Sequence, residues 1–357
     1  VAVIQQKSTF VDPDDLLDKI RAFLVTQGWT SNDHSVSGSG YRLHLSKGGV
    51  YVNLHSFLNG NPFTTGTGGT WAANLGNGLA INGSDGYDSG LPWDQQPGAP
   101  LNLDGVSLGH YIPQVPTGTA TYWFMYGTAP EAFYCFVETT PGVFGYLSFG
   151  ELEKPYSWTG GAYTAASYPR THNVQAGSGR LGPLEQVYEG TGCGGLVRAD
   201  YDDFNGWLGR YYQPTATGTN FSTGNGFLSS LHSDVTAHKI NEAPDESSQL
   251  LRVPGYGRGD FNAGTTQAYA GLFERAYNTA NNVAILLPVF VYGRRLDLGP
   301  VYSILGQLPH AMAVNMRHLT NDTVYTYGLN DYRVLATHSA SATSGAFTPR
   351  LGLAFLV

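Results

Sequence analysis

The sequence predicts a β-rich α+β fold, with antiparallel sheets in a sandwich-like arrangement, an N-terminal amphipathic helix and long Gly-rich loops. Three observations carry that expectation. Only 13% of the 357 residues are charged, against about 25% in an ordinary globular domain, and 47 Gly and 23 Tyr help fill the difference. Such proportions suit strands and turns better than long helices. Short alternating or apolar runs bounded by turn residues recur along the chain, and the clearest helix signal stands near its start. With 41% hydrophobic and 13% aromatic residues the chain is too apolar for intrinsic disorder. Its length exceeds the roughly 250–300 residues that one core usually serves, so two lobes or one elongated β body are expected.

In "FVDPDDLLDKIRAFLVTQGW", Asp12 is a good N-cap, Pro13 takes the first helical position, and Asp14 and Asp15 favour the positive end of the dipole. Leu16, Leu17, Ile20, Phe23 and Leu24 share one face, and Gly28 ends the helix. Next, "YRLHLSKGGVYVNLHSF" sets two alternating runs about Gly48-Gly49, a pair able to adopt the positive φ angles of a two-residue hairpin turn. That turn places Leu43 opposite Leu54 and Leu45 opposite Val52, with Arg42, His44, Tyr51, Asn53 and His55 on the other, polar face. Residues 59–119 read as long loops carrying Trp71 and Trp93, with a short strand at 79–82. An antiparallel meander follows at 121–126, 133–138 and 143–149, its last turn built on Pro141-Gly142. From 159 to 282 the pattern is irregular, with helices expected at 268–278 and around 229–238. Strand character returns at 283–292, 311–317, 323–327 and 332–338 and in the final "RLGLAFLV". The organisation is therefore a helix-plus-sheet domain over 1–165, a variable segment over 166–282 and C-terminal strands over 283–357 that complete the β body.

A net charge of −8 argues against sequence-independent nucleic-acid binding, which needs Lys and Arg to displace counterions. The opening "VAVIQQKSTF" has no basic region followed by an apolar run, so no signal peptide is expected. The longest apolar stretch, 283–292, is broken by Pro288 and is too short to span a bilayer. Cys135 and Cys193 have no metal-binding spacing and read as small buried hydrophobes.

Glu151 and Glu153 stand two apart on an extended segment and would point to the same face, a spacing that permits the carboxylate pair of a retaining glycosidase, although such pairs normally come from different strands. Lys154 beside them offers a simple charge partner, and a strand-end surface cluster is the better account. His44 and His55 face Asn53 and Arg42 in the hairpin register and lack a third ligand. The run "DYDDFNGW" (Asp200, Asp202, Asp203, Asn205) has Phe204 where a calcium loop needs oxygen, and "NGSDGYDSG" (Asp85, Asp88) is weaker still. Both read as turns. Gly177, Gly179 and Gly182 fit a dinucleotide pattern without its strand and helix, and Arg258-Gly259-Asp260 reads as a chance tripeptide. No catalytic residue, cofactor or metal is assigned. Trp71, Trp93, Trp123, Trp158 and Trp207 offer packing surfaces or platforms for sugar rings.

One set of marks points outward. Gly28-Trp29, "LHLSKGGVYVNLHSF", Tyr122-Trp123-Phe124, "FYCFVETTPGVF" and "SFGELEKPYSWTGGAY" together resemble virion structural proteins encoded among the tail genes of tailed bacteriophages. The resemblance covers less than half of the chain. It implies a non-enzymatic subunit of a tail, neck, collar or baseplate, located in the virion and partnered by its own copies in a symmetric oligomer and by neighbouring tail, neck or baseplate proteins. It attaches no catalytic role to the Glu151 and Glu153 phrase. Low charge and aromatic-bearing loops agree with a subunit whose surface becomes interface, with Trp71, Trp93 and Trp207 as the assembly residues. An alternative makes the same tryptophans a binding site for a host-surface glycan, and a third reading is a glycoside hydrolase at Glu151 and Glu153.

Overall fold

The computed structural model describes residues 2–63, 75–100, 107, 109–169, 194–201, 204–209, 286–295, 301–316, 319–336 and 351–357. These form three antiparallel sheets and one helix. The first sheet has the order β1 (Ile4–Phe10), β7 (Ala120–Thr128), β8 (Glu131–Thr140), β9 (Val143–Glu151), β10 (Thr159–Ala166), β12 (Gly194–Tyr201) and β13 (Phe204–Gly209). In the second the order is β11 (Tyr168–Pro169), β6 (His110–Pro113), β5 (Gly78–Ser84), β4 (Val50–Phe57), β3 (Gly40–Lys47) and β2 (Thr30–Ser37). The third runs β14 (Leu287–Arg295), β15 (Val301–Asn315), β18 (Leu351–Leu356), β17 (Asn330–Ala336) and β16 (Thr323–Tyr327).

The expectation of a sandwich led by an N-terminal helix is corrected on both counts. Strand β1 precedes the helix α1 (Pro13–Thr26) and forms an edge of the first sheet. Instead of two layers there are three, because the first sheet is covered on both faces. Toward one side Tyr122, Phe124, Tyr126, Phe133, Cys135, Val137, Leu147 and Phe149 meet α1 and the inner face of the second sheet. Toward the other, Trp123, Met125, Tyr134, Phe136, Tyr146 and Tyr163 meet Leu305, Leu308, Leu335, Leu353 and Phe355 of the third. A sheet buried on both faces is apolar at odd and even positions alike, as 132–137 are, every one of them buried. Within 59–119 the strand expected at 79–82 is present as β5, β6 is a second strand where only loops were expected, and β12 and β13 fall in the segment read as irregular.

Asp12 caps α1, its side chain accepting from Asp15 N at 2.8 Å. The buried face carries Leu16, Leu17, Ile20, Phe23 and Leu24. Phe23 wedges into the first sheet, with ring centroids 5.3 Å from Phe124 and 6.0 Å from Phe133. The hairpin register is the one the Gly48-Gly49 turn dictates, with Leu43 opposite Leu54 and Leu45 opposite Val52; both glycines have positive φ, 59° and 85°. Where the hairpin tip meets the first sheet, Lys47 Nζ donates to Gln27 O at 2.7 Å and Tyr126 Oη at 2.9 Å and pairs with Glu131 at 2.8 Å. Among the described residues no helix is long and apolar enough to cross a membrane. The helices expected at 229–238 and 268–278 lie outside the described residues.

Candidate functional site

The phrase "FGELEKPYSWTGG" builds the seam between the first and third sheets. β9 ends at Glu151, Leu152 turns into the core shared with the third sheet, and Glu153 then joins β15 by a two-way backbone bridge, Glu153 N to Gln307 O and Gln307 N to Glu153 O, both 3.0 Å. Lys154 folds back over the loop, donating to Gly160 O at 2.7 Å and Trp158 O at 3.1 Å, with its ammonium 5.1 Å from the centre of the Trp158 ring. From the loop, Trp158 Nε1 donates to Leu305 O at 2.9 Å. The two carboxylates are engaged separately: Glu151 pairs with Lys154 at 3.3 Å, and Glu153 accepts from Gln307 Nε2 at 2.7 Å. Each therefore fixes a different part of the joint, and nothing in this arrangement holds the two on either side of a substrate bond.

Further bonds continue the seam. Tyr134, buried on β8, donates its hydroxyl to Pro309 O at 2.6 Å, and His310 Nε2 lies 2.8 Å from Pro130 O. At the far edge, Val3 N donates to Leu356 O at 3.0 Å, and Lys7 on β1 pairs with Asp322 at 2.6 Å while Arg333 holds the same carboxylate. Sequence reasoning missed Tyr134, Leu305, Gln307 and His310 because their partners lie far away along the chain, Tyr134 and Pro309 by 175 residues. No local pattern encodes such pairs.

A second cluster occupies the outer, polar face of the second sheet, which is covered and not solvent-facing. His44 and His55 are 1% and 3% exposed. His44 Nδ1 lies 2.7 Å from Asn53 Oδ1, Asn53 Nδ2 donates to Ser84 Oγ at 3.0 Å, and Ser84 Oγ donates to Gly86 O at 2.8 Å. Because that chain makes Asn53 Oδ1 an acceptor, His44 carries its proton on Nδ1. Burial pushes both imidazoles down, His55 to about 4. Among the described residues, no group of three or more His, Cys, Asp or Glu is placed to hold a metal ion.

Of the tryptophans singled out for assembly or glycan stacking, Trp71 lies outside the described residues. Trp207 stands on β13 opposite Arg198, and its side chain lies outside them too. Trp93 is corrected: it is 3% exposed, packed between His55 (5.3 Å) and Phe63 (5.5 Å), with its indole N–H donated to Pro62 O at 2.7 Å. It is a core residue of its loop and has no open ring face for a sugar or a neighbouring subunit. Trp123 is buried as well. Asp85 pairs with Arg198 at 2.7 Å, and Asp88 accepts from Gly90 N in a turn. "DYDDFNGW" is the β12–β13 hairpin, closed by Tyr201 opposite Phe204; Asp202 and Asp203 lie outside the described residues, as do Cys193, Gly177, Gly179, Gly182 and 258–260. Cys135 is free and fully buried, and burial pushes its thiol well up.

No family model matches this chain, and no curated protein sequence matches it.

Proposed function

We propose that this chain is a structural subunit of a tailed-bacteriophage virion, built into a tail, neck, collar or baseplate by self-association and by contacts with neighbouring virion proteins. One observation carries the reading: one of the phrases that make up the resemblance, "SFGELEKPYSWTGGAY", has a structural use for Glu151, Glu153, Lys154 and Trp158. Glu153 and Trp158 bond across to β15, and Glu151 and Lys154 brace the loop that carries them. A hydrolase at Glu151 and Glu153 would need those carboxylates free to face a sugar, so the structural use favours the virion reading over the enzymatic one.

Light scattering on the purified chain, followed by immunogold electron microscopy of phage particles from the strain that encodes it, tests the proposal. A mass at a whole multiple of the subunit and label at one fixed place on the particle are expected. A monomer at every concentration, together with unlabelled particles, would overturn it.

A further inference from the structure

Residues 85–98 form a compact Ω-loop laid over the outer face of the second sheet. Its neck is closed by Asp85 N donating to Pro97 O at 2.8 Å. Inside, the buried Gln96 acts as a plug: its Oε1 accepts from Asp88 N at 2.7 Å and its Nε2 donates to Asp88 O, Leu91 O and Pro92 O at 3.0–3.2 Å. The loop thus keeps its own shape through internal bonds, and its hold on the sheet is a separate set of contacts. Tyr87 lies over His44 with centroids 5.0 Å apart, Trp93 lies over His55 at 5.3 Å, and Asn82 Nδ2 donates to Asp94 O at 3.2 Å. Two of these contacts rest on buried imidazoles that each have one ring nitrogen, His44 Nε2 and His55 Nδ1, without a hydrogen-bond partner.

We infer that this loop is an acid-opened lid, held shut by neutral His44 and His55 and lifted about its neck when they take up protons. Protonation of either ring places a cation and an unpaired N–H in a dry space, which is strongly unfavourable while the lid is closed. Lifting the lid hydrates both rings and leaves the β3–β4 ladder intact. The charged surroundings do not offset that cost. Around His44, Asp33 on β2 and the bond to Asn53 on β4 favour the cation while Arg42 on β3 opposes it; around His55, the backbone of Ser37 and Ser56 favours it while His44 and Arg42 oppose it. Asp33 is itself paired with Arg42 at 2.7 Å. From the lid the ring faces over His44 and His55 are those of the uncharged Tyr87 and Trp93. The lid's carboxylates are Asp85, paired with Arg198, Asp88, which accepts from Gly90 N near Tyr87, and Asp94, buried beside Trp93. His110 pairs with Ile81 on the opposite, core-facing side.

The neutral ring belongs to the closed form. Closure is therefore complete above the ordinary imidazole value of 6.5 and weakens as pH falls from there toward about 4. His55 alone raises the open-to-closed ratio by about 80-fold between pH 6.5 and 4, and by up to ~300-fold only well below pH 4.

The test is tryptophan emission and acrylamide quenching of the full chain from pH 7.5 to 4, with Trp93→Phe subtracted to isolate Trp93 and far-UV circular dichroism recorded in parallel. The Trp93 signal is expected to red-shift and become quenchable between pH 6.5 and 4 with unchanged circular dichroism. His44→Gln/His55→Gln is expected to keep Trp93 shielded at pH 4. The inference is overturned if Trp93 stays shielded in the wild type, or if the double variant opens at the wild-type pH. Should the double variant not fold, the wild type decides alone: a fluorescence midpoint above the circular-dichroism midpoint upholds the lid, and coincident midpoints overturn it.

Discussion

Truncating Phe355 to Ala tests whether the three layers unfold as one body. The ring sits on β18 at the centre of the seam, fully buried, 5.0 Å from Tyr134 and 5.8 Å from Phe136, edge-on to both. Removing a buried Phe ring costs about 3–5 kcal/mol in lost transfer energy and cavity, and two aromatic pairs place this site in the upper half of that range. Tyr134 and Phe136 flank Cys135 along β8, and the Cys135 thiol points into the opposite core. Thiol labelling of Cys135 in a Cys193→Ser background, under conditions where reclosing outruns reaction, therefore reports opening of the layer that Phe355 does not touch. If the layers are one cooperative unit, Phe355→Ala speeds labelling by roughly three to three and a half powers of ten, at about 1.4 kcal/mol per tenfold. A labelling rate within a few-fold of the parent, alongside a clear loss of urea stability by circular dichroism, would show that the third sheet melts by itself and would refute the two-sided middle layer as a single core.

Three further outcomes are expected. Asp322→Asn should lower stability at pH 7 by about 1–2 kcal/mol in urea denaturation, because it removes the charge that Lys7 and Arg333 share. Burial by itself would raise the Asp322 pKa, but the bonds from Lys7 and Arg333 outweigh it and hold the carboxyl below 3.8; the clip's contribution is thus complete above that value and lost as pH falls through the depressed one, so the gap between variant and parent closes in acid. Gly127→Ala should cost about 1–3 kcal/mol, because a Cβ there overlaps the His310 ring that reaches Pro130 O, and adding His310→Ala should recover part of the loss in a double-mutant cycle read by thermal unfolding. Glu151→Gln/Glu153→Gln should cost under about 1 kcal/mol by the same measure, since the Glu151 pair is partly solvated and an amide at 153 can still accept from Gln307.

What could be read in the sequence was whatever local chemistry decides. The cap at Asp12, the apolar face from Leu16 to Leu24, the register about Gly48-Gly49 and the β7–β8–β9 meander each depend on residues a few positions apart, and each stands where the pattern places it. The strands that escaped notice lack such a signal. β1 (IQQKSTF) and β2 (TSNDHSVS) are edge strands, mostly solvated, so selection for alternating apolar residues is weak there. β10 (TGGAYTAA) is built of small residues that β9 and β12 shape by pairing. Of the candidate site, Glu151, Glu153, Lys154 and Trp158 were visible as a cluster, but their role depends on Leu305 and Gln307, and only the fold brings those near. Covering of the His44 and His55 face was hidden for a related reason. Glycine, aspartate and proline in 85–98 signal a loop; that Tyr87 and Trp93 would fold inward over the histidines is a property of the assembled sheet.

Layering also changes what the low charge means. A middle sheet buried on both faces needs apolar residues at every position of β8 from Ala132 to Val137, which by itself lowers the charged fraction of the chain. Several of the charges present are used internally as clips between layers or strands, Lys7 with Asp322, Lys47 with Glu131, Arg42 with Asp33 and Arg198 with Asp85. Scarcity of charge is then partly a consequence of three-layer architecture, and the case for assembly shifts from bulk composition to the sheet edges. Two of those edges are guarded: β1 carries Lys7 at its midpoint and is solvated along most of its length, and β2 is polar with a register shift between Ser31 and Asp33. Polar, charged or irregular edges resist indiscriminate pairing. A subunit made in many copies needs that protection most of all, because it must stay dispersed at high concentration until the correct neighbour arrives, and a contact chosen by side chains across loops and hairpin tips supplies the selectivity that open backbone edges lack.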